Sequence, residues 1–220
     1  MDGTPEVPAD ARGTVAGAVR AAILQGEFVP RQRLIEADLC ERFGASRFVV
    51  RAVLQELAAQ GLVEFERNRG ARVREISLAE AIEITEVRKL LEGLEAARAA
   101  ERVSTAQAAM LRGVVADMRE AVERAELMRY SELNAALHAA IRVIAAHDTA
   151  ARLLRQLRDQ TVRHRFTLSL VPGRSAVSLP QHETIVAAIN ARDPAAAERA
   201  MHDHLQSVID ALRALPAAPR

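Results

Sequence analysis

The feature that most constrains the fold is a change in the spacing of apolar residues, from a helical period to strict alternation and back again. Apolar residues recur every three or four positions up to Gly61, alternate with other residues from Leu62 to Arg74, and return to helical spacing from Ser77 onwards. A period near 3.6 is typical of amphipathic helices, and a period of two is typical of strands. The sequence therefore predicts a group of helices, one β-hairpin and then helices only.

The first 76 residues have the pattern of a DNA-binding domain. Three helices are predicted at residues 14–26, 34–43 and 46–60. In the hairpin, Val63 and Phe65 are expected on one face, with Glu64 and Glu66 on the other. A helix-turn-helix with a two-stranded wing binds DNA because its second helix fits the major groove and the hairpin tip reaches the adjoining backbone or minor groove. Residues 12–76 are thus predicted to form a winged helix-turn-helix domain.

Five residues of this domain are predicted to contact DNA. Ser46 is a suitable N-cap for the third helix, and Arg47 and Arg51 lie one turn apart near its start. Arginines at that place reach base edges and phosphates together. Arg69 and Gly70 occupy the predicted wing tip, where glycine permits a tight turn and a close approach to the backbone of DNA.

The arginines of the second strand are predicted to form ion pairs rather than to contact DNA. Arg72 and Arg74 are expected to pair across the strands with Glu64 and Glu66, as exposed charges of a sheet commonly do.

The charge of this domain is balanced, since residues 1–76 contain eleven arginines and eleven acidic residues. Affinity for DNA must then come from local placement and from dimerisation. A two-fold symmetric homodimer reads a palindromic double-stranded operator and doubles the phosphate contacts. Lys89 is the only lysine of the chain; the excess of arginine suits contacts to phosphate and guanine and is equally consistent with a GC-rich genome.

Length and composition predict a cytoplasmic protein of two domains without a membrane partner. A chain of 220 residues with 50% apolar content can bury one large core or two smaller ones. Cys40 is its only cysteine, and no apolar run suits a signal peptide or a membrane span. The prolines near the two ends predict loose tails at residues 1–11 and 215–220.

The remaining residues, 77–214, are predicted to form an all-α bundle of six helices, which makes the protein mainly α. Helix starts are predicted at Ser77, Ser104, about Leu127, Asp148, Ser178 and Asp193. The first two carry capping-box patterns, and Asp193 precedes a proline at the first helical position.

Several segments together resemble one family of regulators. They are Gly26-Glu27-Phe28-Val29-Pro30, Leu34-Ile35-Glu36 with Leu39, Ser46-Arg47 with Val50-Arg51, Gly61-Leu62-Val63, and Asn68-Arg69-Gly70 with Val73. In order and spacing, residues 14–76 resemble the winged helix of GntR-family transcriptional regulators, and residues 77–214 resemble the FadR-type ligand domain with its FCD helical bundle. The family usually has glycine where Arg31 stands and small residues where Phe48 and Val49 stand. The resemblance implies a cytoplasmic DNA-binding regulator, with repression as the expected direction.

Four polar residues of the helical part are candidate metal ligands. Asn134 and His138 lie one turn apart on an apolar face, and His182 and His204 each lie within the apolar stripe of a later helix. Imidazoles are the commonest ligands of zinc, and three of them with one oxygen leave positions open. FCD domains use this set of ligands, so the resemblance implies that this chain binds a divalent metal ion. Zinc is the first expectation, and nickel and manganese are the alternatives.

The neutral amide of Asn134 leaves the charge of a divalent ion uncancelled. A small carboxylate effector is therefore predicted to complete the shell of the metal. Arg88 is expected on the apolar stripe of its helix, where it pairs either with an acidic residue of that helix or with the effector. Outside the ligand set, His202 is expected to point away from the core and His147 to lie in a loop, whereas His164 is a candidate for the wall of the effector site.

Two other functions compete with this one. A three-histidine metal site lowers the pKa of bound water, which suits a metal-dependent hydrolase. The sequence places no carboxylate at a spacing that would bring it into the pocket and has no nucleophile motif or phosphate-binding glycine loop, and Cys40 is expected in a core, so no enzyme is predicted. The second alternative is a metal-free regulator that senses an apolar or acyl effector in the bundle.

Overall fold

The structure, a computed structural model, describes residues 9–67 and 69–215. Of the tail predicted for residues 1–11, the last three residues already belong to the first helix, because Ala9 and Ala11 are strong helix formers. Residues 1–8, the wing residue Asn68 and the tail at 216–220 lie outside the described residues. The chain folds into two compact units, Met1–Ile76 and Ser77–Arg220.

The first unit contains the predicted three helices and hairpin, together with one short strand that was not predicted. In chain order its elements are α1 (Ala9–Leu24), β1 (Arg33–Leu34), α2 (Glu36–Phe43), α3 (Arg47–Ala59), β2 (Val63–Glu66) and β3 (Gly70–Val73). The sheet has the order β1-β3-β2, and both pairings are antiparallel. Two residues are too short for a period to be recognised in the sequence, which is why β1 was missed.

The core of this unit joins the base of the wing to the third helix. Leu54 and Leu57 of α3 and Val63 of β2 are almost fully buried. Phe65 was predicted to share their environment, but its side chain is 55% exposed. Phe65 pairs with Ala71, which is buried in the core, so the exposure of the aromatic ring is a difference from the alternation that the sequence predicted.

The second unit is entirely helical in its described part, with seven helices rather than six. They are α4 (Leu78–Arg102), α5 (Thr105–Glu123), α6 (Leu127–Ala145), α7 (Asp148–Gln160), α8 (Val162–Ser169), α9 (Arg174–Asn190) and α10 (Pro194–Arg213). The predicted start at Ser178 is wrong because the break comes earlier, at Gly173, whose φ of 77° is left-handed. Pro180 lies inside α9.

The helix α4 lies at the centre of this unit. It packs against α6, α7, α9 and α10, so side chains from five helices meet in one interior. The predicted caps of α4, α5 and α10 are present: Ser77 and Ser104 accept backbone N–H groups three residues on, and Asp193 does the same before Pro194. Within the described residues, no helix is both long and apolar enough to cross a membrane.

Candidate functional site

Three of the predicted ligands meet inside the second unit. His138 of α6, His182 of α9 and His204 of α10 are buried, and one ligand atom of each lies within 4.8 Å of the others. The ring centroids of His182 and His204 are 4.4 Å apart, and they lie 5.6 and 5.5 Å from the ring of His138. The apolar faces of three separate helices therefore bring these imidazoles together, as the sequence predicted.

Each of the three rings is oriented by a contact to its Nδ1 atom. The partners are Glu92 Oε2 for His138 at 2.8 Å, the Tyr130 hydroxyl for His182 at 3.1 Å, and Gln181 Oε1 for His204 at 3.0 Å. These contacts leave Nε2 of each ring as the atom that can face a ligand. Histidines that ligate a metal are held in this way, by a second group at the opposite ring nitrogen.

The electrostatics of the cluster favour neutral rings. Burial, followed by the neighbouring histidines, holds the pKa of His204 well below its ordinary value. The pKa of His182 is likewise far below the ordinary value, through burial and the proximity of His138. Burial also lowers the pKa of His138, despite the opposing effect of Glu92. Neutral imidazole is the form that binds metals, so these rings need no deprotonation step before they ligate.

Asn134 lies beside this cluster with an unsatisfied oxygen. Its Oδ1 atom is buried and has no hydrogen-bond partner. The residue lines a cavity of about 200 Å³ whose wall also includes His138 and His204. A buried amide oxygen without a partner costs free energy, and a cation would satisfy it. The structure thus gathers the four predicted ligands in one region, three of them in direct proximity.

The cavity is strongly basic. Four arginines contribute to its wall: Arg88, Arg158, Arg165 and Arg174. Hydroxyl groups line it as well, from Tyr130, Ser131, Ser169, Ser175 and Ser178. Among the described residues of this wall there is no aspartate or glutamate. Such a wall is suited to an anion that also carries hydrogen-bonding groups.

Behind the wall, Glu92 forms a buried charge network that the sequence analysis missed. Its carboxylate accepts hydrogen bonds from Arg88 at 2.9 and 2.7 Å and from Arg158 at 3.4 Å, and it contacts His138. Burial opposes its ionisation, but Arg88, Arg158 and His138 together hold its pKa well below the ordinary value. The prediction concerned only carboxylates that would enter the pocket, and Glu92 lies behind the wall of the cavity, so its contact with His138 was not foreseen. The signal was the spacing of Arg88 and Glu92, which places both on one side of α4.

Arg88 forms the ion pair within its helix and keeps one donor without a partner. Its Nε and Nη2 atoms donate to Glu92, which is the predicted pair within the helix. Its Nη1 atom is buried without a partner, and the residue lines the cavity. One donor of this guanidinium thus remains for a ligand.

The other histidines lie outside the cluster. His147 lies in the loop between α6 and α7, as expected, and as the N-cap of α7 it accepts the N–H of Ala150 at 3.2 Å. His164 does not reach the described wall of the cavity. His202 was expected to point outward, but its ring packs on Gly93 of α4, where a β-carbon would collide with it. The glycine allows α4 and α10 to approach closely, and this contact turns His202 inward.

The predicted DNA-contacting residues lie on the surface of the first unit. Ser46 caps α3 by accepting the N–H of Val49 at 3.3 Å, and Arg47 after it is exposed. Arg51 is also exposed, and its Nε donates to both carboxylate oxygens of Glu36 at 2.9 Å. Phe48, whose environment the sequence left undecided, is 71% exposed. The start of α3 therefore presents two basic groups and one aromatic ring to solvent.

The wing agrees with its prediction in the part that is described. Arg69 and Gly70 are exposed, and Gly70 has a left-handed φ of 81°. Arg72 pairs with Glu64 at 2.6 Å and with Glu66 at 2.5 Å, so the expected pairing across the strands is confirmed for Arg72.

Comparison with known proteins gives a consistent result for both units. The family model "Bacterial regulatory proteins, gntR family" matches residues 11–73, and the FCD domain model matches residues 83–207. The E. coli McbR/YncC structure has a TM-score of 0.74 and 20% identity, and the alignment covers 92% of this chain and 97% of that one. This likeness supports the fold.

Relatives with established names are similar over most of their length. The HTH-type transcriptional repressor RspR of Escherichia coli is 30% identical over 89% of this chain and 86% of its own. The probable D-xylose utilization operon transcriptional repressor of Paenarthrobacter nicotinovorans is 29% identical over 91% of this chain and 89% of its own. The chain therefore belongs to the GntR family of bacterial regulatory proteins, with an FCD domain after its DNA-binding domain, and it is a transcriptional regulator rather than an enzyme.

Proposed function

We propose that the chain is a FadR-type repressor that binds a palindromic operator in the cytoplasm as a homodimer and releases it when a small organic acid binds at a metal in the FCD domain. The observation that carries this proposal is the cluster of His138, His182 and His204, buried, neutral and oriented through Nδ1 beside a basic cavity.

The residues present fit a divalent metal. His138, His182 and His204 would hold it through Nε2, and Asn134 would add an oxygen whose present state, buried and without a partner, supports that role. Zinc accepts such a set of nitrogen and oxygen ligands, and nickel and manganese are the alternatives. When bound, the ion supplies a Lewis-acid site for a carboxylate oxygen of the effector.

The side chains around the cluster favour an acid as effector. Asn134 is neutral, so the charge of the ion would remain for the ligand to compensate. Arg88 adds a cation with one free donor in the same wall. An acyl chain, the alternative effector, would have to desolvate these guanidinium groups without pairing them. Hydrolysis, the other alternative, requires a general base. Glu92 is unsuited because Arg88 and Arg158 hold its pKa well below the ordinary value, which makes it a weak base, and occupy its oxygens.

At the operator, we propose contacts from Ser46, Arg47 and Arg51 at the start of α3 and from Arg69 and Gly70 in the wing. Their exposure supports this role. The effector acts by a shift of population between a state that binds the operator and one that does not, and its affinity for the second state must be the higher.

The test is elemental analysis of protein purified without a histidine tag. We expect near-stoichiometric metal in the wild type and its loss in His138→Ala and His204→Ala. The matched control is His147→Asn, which removes a histidine outside the cluster and keeps an N-cap residue at α7. Absence of metal from the wild type after loading with zinc, nickel and manganese would contradict the metal site.

A further inference from the structure

We infer that the effector carries two anionic groups and that Arg165 of α8 and Arg174 of α9 hold the second one. This inference rests on the proposed function, which accounts for one carboxylate at the metal. The additional evidence is a surplus of positive charge in the wall of the cavity.

The surplus follows from the ion pairs of the four cavity arginines. Glu92 neutralises one charge for Arg88 and Arg158 together, since both donate to its carboxylate. Within the described chain, neither Arg165 nor Arg174 has a carboxylate at ion-pair distance. Two guanidinium groups of the wall therefore have no ion-pair partner of their own, in addition to the charge of the metal, and Glu92 and Asp159 offset the charge of Arg165 only from a distance.

Arg174 has one guanidinium nitrogen in a hydrogen bond and another that remains free for a ligand. Its Nη1 atom donates to the Ser207 hydroxyl at 2.9 Å, whereas its Nη2 atom is buried and has no partner. A hydrogen bond to one donor fixes the orientation of the planar group. The other donor is a desolvated N–H that an acid oxygen would satisfy.

Arg165 is held in an unfavourable environment. Burial, and then the positive charges of Arg158 and Arg88, lower its pKa to about 9. A cation that lies beside like charges without an ion-pair partner destabilises the folded state. An anion bound beside it would relieve that cost. A ligand with a single carboxylate, already bound at the metal, would leave this repulsion in place.

The size of the cavity limits what can carry the two groups. A cavity of about 150 Å³ holds benzene, with its six carbon atoms. The present one, of about 200 Å³, fits roughly eight non-hydrogen atoms by the same proportion. That size suits a four-carbon dicarboxylic acid or a phosphorylated two-carbon acid, with hydroxyl groups of Ser175 and Ser178 within the wall to bind further oxygens.

The experiment compares three ligands by isothermal titration on the zinc-loaded full-length protein. The probes are malate, 2-hydroxybutyrate, which has the same carbon chain but one carboxylate, and phosphoglycolate, whose second acid group is a phosphate. We expect malate or phosphoglycolate to bind about tenfold or more tightly than 2-hydroxybutyrate, since a charge-assisted hydrogen bond has that effect. The order of these two identifies the second group as carboxylate or phosphate.

Variants connect the difference to the two arginines. In Arg165→Gln and Arg174→Gln, the preferred diacid should lose its advantage while the affinity for 2-hydroxybutyrate stays within about twofold. The control is Arg155→Gln, at an exposed position of α7, which should change neither affinity. Circular dichroism confirms that each variant is folded.

The outcomes separate the two proposals. Equal affinity for malate, phosphoglycolate and 2-hydroxybutyrate in metal-loaded protein would overturn the second anionic group and leave the metal-bound acid intact. A diacid advantage that survives both arginine variants would also overturn it. If none of the three acids binds, and the metal content of the same sample is near zero, the proposed function itself fails and this inference fails with it.

Discussion

The replacement Glu92→Gln tests whether the buried charge network organises the site. It keeps the shape of the side chain but removes the charge that Arg88, Arg158 and His138 share. Breaking a buried ion pair by removing one partner costs about 3–5 kcal/mol, and we expect about 3 kcal/mol because the amide oxygen still accepts one hydrogen bond. Metal affinity should fall by about 10–100-fold, because His138 loses the group that orients it.

The free energy of unfolding can be measured by the intrinsic fluorescence of one tyrosine. Tyr130 is the only tyrosine, and there is no tryptophan, so tyrosine fluorescence during urea unfolding reports on the helical unit. The control is Glu86→Gln on the same helix, whose exposed pair with Arg213 should contribute less than about 1 kcal/mol. A loss below about 1 kcal/mol for Glu92→Gln would refute the reasoning.

The pH dependence gives a second readout of the same variant. Because the folded pKa of Glu92 lies well below its ordinary value of 4.5, its ionised form contributes stability above that pH. This contribution is lost as the pH falls from 4.5 toward the folded pKa. The difference in unfolding free energy between wild type and Glu92→Gln should therefore shrink in acid, and a difference that stays constant would contradict an ionised Glu92.

Three further predictions concern other residues. Gly93→Ala should destabilise the helical unit by about 1–3 kcal/mol in urea, and His202→Ala in the same chain should restore part of the loss, because the new methyl group would meet that ring. Arg47→Gln should weaken operator binding and reduce the slope of log affinity against log salt by about 1, in fluorescence anisotropy over a salt series. Burial raises the pKa of Glu95 to about 7 despite Arg142, so this group favours folding below pH 4.5 and loses that contribution as the pH rises through 7. Glu95→Gln should raise the Tm at about pH 8 relative to wild type, with little change at about pH 5.

The fold was predictable wherever the local signals of the sequence agreed. Ser46 and Ser104 begin helices as expected because the capping pattern and the apolar period agree there. The start predicted at Ser178 was wrong because the break lies earlier, at Gly173, whose left-handed φ precedes the first turn of α9.

The sequence predicted which histidines are buried in the site, but it did not predict the buried charged residues around them. His138 and His204 lie on apolar stripes, and a side chain on such a stripe points to the core whatever its chemistry. The buried face of α4 instead carries Arg88, Glu92 and Glu95. Charged residues are rarely buried unless they are paired, and the partners that allow it here come from α6 and α7, which periodicity within one helix cannot reveal.

The placement of the three histidines has a consequence for the lifetime of the protein. They belong to α6, α9 and α10, so an ion held by all of them would join α6 to the last two helices of the unit. An ion at about a hundred times its Kd stabilises the folded state by about 2.7 kcal/mol, and its removal raises the unfolded fraction about a hundredfold. Proteases act on that fraction. The cellular supply of the metal would then set how much regulator survives, independently of any effector, and starvation for the ion would relieve repression by depleting the repressor.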